Sequence, residues 1–495
     1  MTELPAARAI SFTFAITGIA GALLILLHFL HRNGFWIDEL YTLHAIRLPW
    51  ADMVLERLKR GHFPGYFLLL KLVYQPLLAF NTETVLRSFS IVCWLAAVAS
   101  YVPLARRFVA PGAVAVSILL LGLNGVIIRQ AGEARMYTLV LLLAVWMTRS
   151  YLEMLHAQNT RKWGLLLAVF TALGFAVSAT VSMLSMGLLY DALRRRRQQP
   201  FLVKPVVLAL FVGAIVFIPG AVLHLKTSDR LGIAGVRPIE LLEHLVSTFA
   251  GVQVRDDYFH PTRLLHALQI IGALVTAALL ARLWCVRRLL PDQCKAGMRI
   301  VFVPFVLMIV TEVTSKFLNF SLLGPPRYLV SIFPAAAVLV GFLVSPLMHR
   351  RLTAILLHAA LSAFLLVNAY AVQIVETEAF RERVRIMHAE WFRPGDAVVA
   401  VPAEIADGVE LYAPGVKVDA AIDRWELDPQ VLARQLAPLR SRPRVLLVYY
   451  RGRNTPVLHV AEALFGPATS DRPDKPMGTL RVFRFRPELA GIEDQ

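Results

Sequence analysis

Apolar positions fall in long uninterrupted runs separated by short basic blocks, and the runs reach the roughly 20 residues of helix that a hydrocarbon core demands. They predict spans near residues 9–30, 86–105, 112–128, 136–155, 163–177, 179–193, 202–224, 264–284, 299–315, 328–346 and 352–374, about eleven helices in all. The first run, Ala9 to Leu30, has no small-residue cleavage pattern before His31-Arg32-Asn33 and is read as a retained helix. Under this count the blocks Arg106-Arg107, Arg161-Lys162, Arg194 to Arg197, Arg287-Arg288 with Lys295 and Arg299, and His349-Arg350-Arg351 share one side, expected to be the cytoplasm. Stretches 31–85, 129–135, 225–263 and 316–327 then face outward with everything beyond about 375. The run Pro64 to Phe80 is short and bracketed by His62, Pro64 and Pro76, which predicts an interfacial or re-entrant helix.

After Val375 the period changes. A charged helical stretch with Arg381, Glu382, Arg383 and Arg385 precedes strand-like runs at Ala397 to Val401, Val445 to Tyr450 and Leu480 to Phe485, with turn signals between them. The expected organisation is an α-helical multi-pass membrane domain over 1–375 and a small extracytoplasmic α/β domain over 376–495.

Composition agrees with a membrane protein: 57% of the 495 residues are hydrophobic, 17% are charged, and the mean hydropathy is +0.59. The net charge of +17 sits in the inter-span blocks, so topology explains it and a nucleic-acid partner is not expected. Cys93, Cys285 and Cys294 form no CxxC pair and support neither a disulfide framework nor a zinc site.

Four polar features fall on the expected outer face: Asp38-Glu39; His62-Phe63-Pro64-Gly65-Tyr66; Arg129 to Tyr137, which contains Glu133-Ala134-Arg135; and Pro325-Pro326-Arg327-Tyr328. Charges of both signs at one membrane level predict a polar cavity, because an unpartnered charge there costs several kcal/mol. In their order, with Arg87-Ser88 opening a span among them, these segments resemble the bacterial branch of the GT-C glycosyltransferases, which includes the protein O-mannosyltransferase-like enzymes and the lipid A aminoarabinose and galacturonic acid transferases. Glu133 to Tyr137 is the most specific piece of that resemblance, which covers residues 1 to about 375. Where family members often carry His-Pro-Pro, this chain has His62-Phe63-Pro64. The resemblance implies a bacterial inner-membrane enzyme that moves a sugar from a polyprenyl-phosphate donor to a hydroxyl-bearing envelope acceptor on the periplasmic side.

The side chains suit that chemistry on their own terms. A carboxylate serves as base for the acceptor hydroxyl, which points to Asp38, with Glu39 as its catalytic neighbour or loop brace. Charge building on the departing phosphate calls for cations, and Arg135 and Arg327 are the expected clamps, with Lys316 a third. Glu133 is left with three roles, orienting the sugar, pairing with Arg135, or joining Asp38 around a divalent metal ion; the metal stays open. His62, Tyr66, Tyr137 and Tyr328 complete the expected substrate-binding set. Two alternatives stay open: a transporter or flippase of a lipid-linked substrate, which the outer-loop acids and the lack of a visible repeat disfavour, and a non-catalytic polyprenyl-lipid-binding partner.

Overall fold

Among the described residues, the long apolar runs before residue 375 form helix. The structure, a computed structural model, describes residues 5–32, 34–156, 160–227, 238–253, 262–318, 326–374, 380–423, 426, 428–450, 455–470 and 480–486. The helices are α1 (Pro5–Phe29), α2 (Ile37–Arg47), α3 (Trp50–Lys59), α4 (Gly65–Tyr74), α5 (Thr82–Phe108), α6 (Val114–Gly122), α7 (Gly125–Ala131), α8 (Tyr137–Met154), α9 (Thr160–Val177) and α10 (Val181–Arg194). They continue with α11 (Val203–Thr227), α12 (Pro238–Ala250), α13 (Arg263–Val286), α14 (Asp292–Leu318), α15 (Phe333–Val344) and α16 (Arg351–Ile374). Among the described residues eight helices are long and apolar enough to cross a membrane, or nine if the pair Pro111–Gly122 and Gly125–Ala131, bent by 50°, is one span. The expected eleven included α8 and α10. Both form, but α10 has only 14 residues and α8 carries Arg149 and Glu153 near its end, so neither meets the length and hydropathy of a span. The run after Pro64 gives the ten-residue α4, too short to cross.

The chain divides into two units, one of residues 1–30 with 50–375 and one of residues 31–49 with 376–495. Residues 31–49, with α2, thus group with the C-terminal residues.

Within the helical unit one buried ionic network ties three helices. Gly187 of α10 lies so near α14 that a Cβ there would come within 2.7 Å of the Ile300 backbone, a small residue allowing close helix approach. One turn later the fully buried Asp191 accepts hydrogen bonds from Tyr151 Oη of α8 at 2.7 Å, from Arg195 Nε at 2.9 Å and from Arg299 of α14. Arg195 also donates to the Asp292 carbonyl at 2.7 Å. Of the four consecutive arginines read as a topology signal, Arg195 alone is buried, and it serves as structure.

The second unit is a five-stranded mixed sheet in the order β2-β1-β3-β5-β4, with β1 (Ala397–Val401), β2 (Ala420–Ala421), β3 (Val445–Tyr450), β4 (Thr469–Ser470) and β5 (Leu480–Phe485). β1 pairs in parallel with β2 and β3, whereas β5 runs antiparallel to β3 and β4. Every residue of β1 and β3 is buried, as expected of central strands covered on both faces. The alternate positions Ala397, Val399, Val401, Val445, Leu447 and Tyr449 share a core with Leu432, Leu436, Val457 and Phe465 from the helices Pro429–Leu436 and Thr455–Phe465.

Removing the Asp191 carboxylate takes away the counter-charge that Arg299 uses and leaves Arg195 with only the exposed Asp292, 3.7 Å away. Asp191→Ala is expected to destabilise the protein by about 3–5 kcal/mol, the cost of breaking a buried pair from one side. A thermal melt in detergent checks this.

Candidate functional site

In the helical unit the break between α6 and α7 aims the Arg129 to Tyr137 segment. Asn124 caps α7, its side-chain oxygen accepting from Val126 N at 3.0 Å while its amide donates to the Ser247 carbonyl at 2.8 Å. Gly125 N donates to the Gly251 carbonyl at 2.7 Å, and a Cβ on Gly125 would meet the Asn368 side chain at 2.4 Å, so the bend depends on that glycine. Beyond α7 a tight turn, with Arg135 N bonded to the Glu133 carbonyl at 2.8 Å and the Arg135 carbonyl accepting from Ser90 Oγ at 3.3 Å, leads into α8.

This turn gathers charge in a buried setting. Glu133 pairs with Arg129 at 2.6 Å and accepts from Gln130 at 3.2 Å; Arg129 also donates to the Val372 carbonyl at 3.1 Å. The Arg129 partner lies one helical turn before Glu133. Arg135 and Arg327 converge on one ring: their guanidinium carbons lie 5.8 and 5.9 Å from the Tyr137 centroid, and Arg327 is 6.0 Å from the Tyr328 centroid. The two tyrosine rings stack at 6.4 Å and 29°. Arg135, Arg327 and Tyr137 are all buried, and Tyr328 is partly exposed.

Tyr66 is buried against Phe67 and Phe89, and His62 stands edge-on to Phe67 at 6.4 Å. Lys316 belongs to α14, but its side chain lies outside the described residues. Among the described residues no three His, Cys, Asp or Glu side chains form a group that would hold a metal ion.

In the second unit Asp38 and Glu39 occupy the first turn of α2, where the helix dipole favours anions. Asp38 is half-buried; Glu39 is fully buried and reaches back to Trp36 N at 3.4 Å. At the other end of α2, His44 Nδ1 and Arg47 each lie 2.7 Å from an oxygen of Asp407. Burial alone would raise the Asp407 carboxyl, but the hydrogen bonds from His44 and Arg47, with their charges, hold it below its ordinary value of 3.8. It is therefore ionised at neutral pH.

Comparison with solved structures finds ArnT from Cupriavidus metallidurans in the apo state, at a TM-score of 0.61 and 13% identity over 97% of this chain and 99% of that one. The same protein bound to undecaprenyl phosphate overlaps at 0.60 and 13% identity, over 95% and 97% of the two chains. The chain shares the fold of ArnT. The Archaeoglobus fulgidus oligosaccharyltransferase overlaps more loosely, at 0.44 and 12% identity over 93% of this chain and 72% of that one. No family model and no curated protein matches the sequence.

Further buried charges lie in the helical unit, and of these Arg57 and Lys71 were missed in the sequence. Arg57 pairs with Glu56 and stands over the Phe67 ring at 5.3 Å; Lys71 stands over Trp50 at 5.0 Å; Arg87 donates to the Leu30 carbonyl at 3.0 Å. All three are buried. Lys71 had a visible signal, since an ionisable residue inside an apolar run calls for a function or a partner. Arg57 had none, because α3 reads as an ordinary amphipathic helix.

Gly65 fixes the start of α4, since a Cβ there would come within 2.6 Å of the Ala176 carbonyl oxygen at the end of α9. Gly65→Ala is expected to shift Tyr66 and cost about 1–3 kcal/mol, as overpacking does. The melting temperature in detergent reads that loss.

Proposed function

We propose that the protein is a membrane glycosyltransferase that moves a sugar from a polyprenyl-phosphate carrier to a hydroxyl-bearing envelope acceptor on the extracytoplasmic face. One observation carries the proposal: two buried guanidinium groups, Arg135 and Arg327, gather at the Tyr137 ring inside an ArnT-like fold. A pair of arginines is the usual recognition element for a phosphate, because the planar fork binds two oxygens at once. Aromatic rings beside them suit a sugar face, and in the solved ArnT complex the bound molecule is undecaprenyl phosphate.

In the proposed reaction the acceptor oxygen attacks the anomeric carbon as the bond from that carbon to the phosphate oxygen breaks. The electron pair leaves on the polyprenyl phosphate, where Arg135 and Arg327 offset the growing charge. The hydroxyl proton passes to Asp38. Glu39 braces the first turn of α2, Glu133 holds Arg129 in place, and Tyr66, Tyr137, Tyr328 and His62 line the donor. Lys316 is proposed as a further cation for the phosphate.

The proposal separates binding from chemistry, so two variants test it together. Asp38→Asn should keep undecaprenyl phosphate binding and abolish the transferred sugar, read by mass spectrometry of envelope lipids and glycans in complemented cells. Arg327→Gln and Arg135→Gln should each weaken undecaprenyl phosphate binding about tenfold or more, the worth of a charge-assisted pair. Full transfer by folded, inserted Asp38→Asn would remove the base assignment. Intact lipid binding with no sugar missing from cells lacking the gene would favour a flippase or a binding partner.

A further inference from the structure

The acid pair is carried by a helix that cannot stand alone. α2 has 11 residues, below the roughly 12–15 at which an isolated helix becomes even marginal in water. Its partners come from more than 340 positions away in the chain. Ahead of the helix, Arg381 donates to the His31 carbonyl at 3.0 Å and to the Arg32 carbonyl at 2.6 Å, and Phe35 N donates to Tyr412 Oη at 2.8 Å. Along the helix, Leu40 packs on Gly408 so closely that a Cβ there would come within 2.5 Å of Leu40 Cδ2. At its end the two oxygens of Asp407 take two side chains one turn apart, His44 and Arg47.

We propose that Asp407 is a positioning residue for the acid pair: through His44 and Arg47 it sets the rotation and height of α2, which makes the C-terminal domain a working part of the transferase. The proposal rests on the function given above. Asp407 is not itself a catalytic residue. Asp38 and His44 are six positions apart, about 9 Å of helix at 1.5 Å per residue, so the carboxylate at 407 acts on the base only through the helix. Two contacts at different heights on one helix fix what a single contact would leave free to rotate. Arg381 and Tyr412 hold the chain leading in, and Gly408 lets the helix come close; the Asp407 clamp holds the far end. A base set on such a mount is sensitive to small shifts, since about 1 Å of misplacement costs on the order of 100-fold in rate.

The test uses the full-length protein in lipid nanodiscs and reads three quantities: hydrogen–deuterium exchange, undecaprenyl phosphate affinity, and transferred sugar by mass spectrometry. Asp407→Asn is expected to raise exchange across residues 37–47 about tenfold, as local opening becomes easier, with β1 and β3 unchanged. Sugar transfer should fall about 10- to 100-fold. Affinity for undecaprenyl phosphate should stay within about twofold, because the cations belong to the other unit. The charge exchange Arg47→Asp with Asp407→Arg should recover part of both losses. Gly408→Ala, which pushes on Leu40 without touching a charge, should raise exchange in the same window and serves if the Asp407 variant fails to fold. Wild-type exchange and wild-type transfer in Asp407→Asn would overturn the proposal while leaving the transferase standing. A wild-type protein that transfers no sugar, yet shows the exchange response, would remove the transferase and leave only a structural hold on α2.

Discussion

A charge inside an apolar helical bundle must find its compensation within a few ångströms, and that constraint organises the helical unit. Water is absent to screen it, so an uncompensated ion there costs several kcal/mol. Asp191 shows the closed form of the answer: both carboxylate oxygens are used, and three helices are tied by them. The Arg129 to Tyr137 turn shows another form. Glu133 pairs with Arg129, and Arg135 and Arg327 gather at aromatic rings. The same electrostatic rule thus yields a structural staple in one place and a candidate anion seat in another.

The second unit meets a different constraint. Its sheet is small, with two strands of only two residues, and its two central strands are buried on both faces. α2 packs against the helix Ala406–Tyr412 and the turn Ala403–Ile405 that precedes it. A segment that the chain order places between two helices of the membrane unit is thereby taken up by the sheet domain. The exchange suits both parties: the domain gains a covering helix, and the helix gains the packing its length cannot supply.

How much of this was legible in the sequence depended on how local the cause was. The long spans were legible because apolar length is itself the physical requirement, and β1, β3 and β5 were legible because turn residues bracket short apolar runs. α4 was legible from Pro64 and Pro76. The membership of residues 31–49 was not, since the His44 to Asp407 contact joins positions 363 apart and neither residue announces the other. Arg195 hid in a run of four arginines whose other members are solvated, and only the approach of α14 at Gly187 singles it out. Arg129 was visible only as a neighbour; its partnership with Glu133 needed the helical turn to bring them together. Arg135, Arg327 and Tyr137 were each visible from the sequence, but their convergence on one ring was not.

Identity of 13% with a fold shared over 97% of the chain is what these two kinds of cause predict together. Spans ask for apolar length and tolerate almost any apolar residue, so the fold survives wholesale exchange of its side chains. Charge in the bundle has no such tolerance. Each buried arginine needs a partner of the right sign at the right height, and exchanging one alone leaves the other stranded. Specific chemistry in a bundle like this one is therefore carried by a handful of buried charges and the glycines that let their helices meet. Overall similarity measures the scaffold; the roles proposed for Arg135, Arg327, Glu133 and the mount of Asp38 rest on their own geometry.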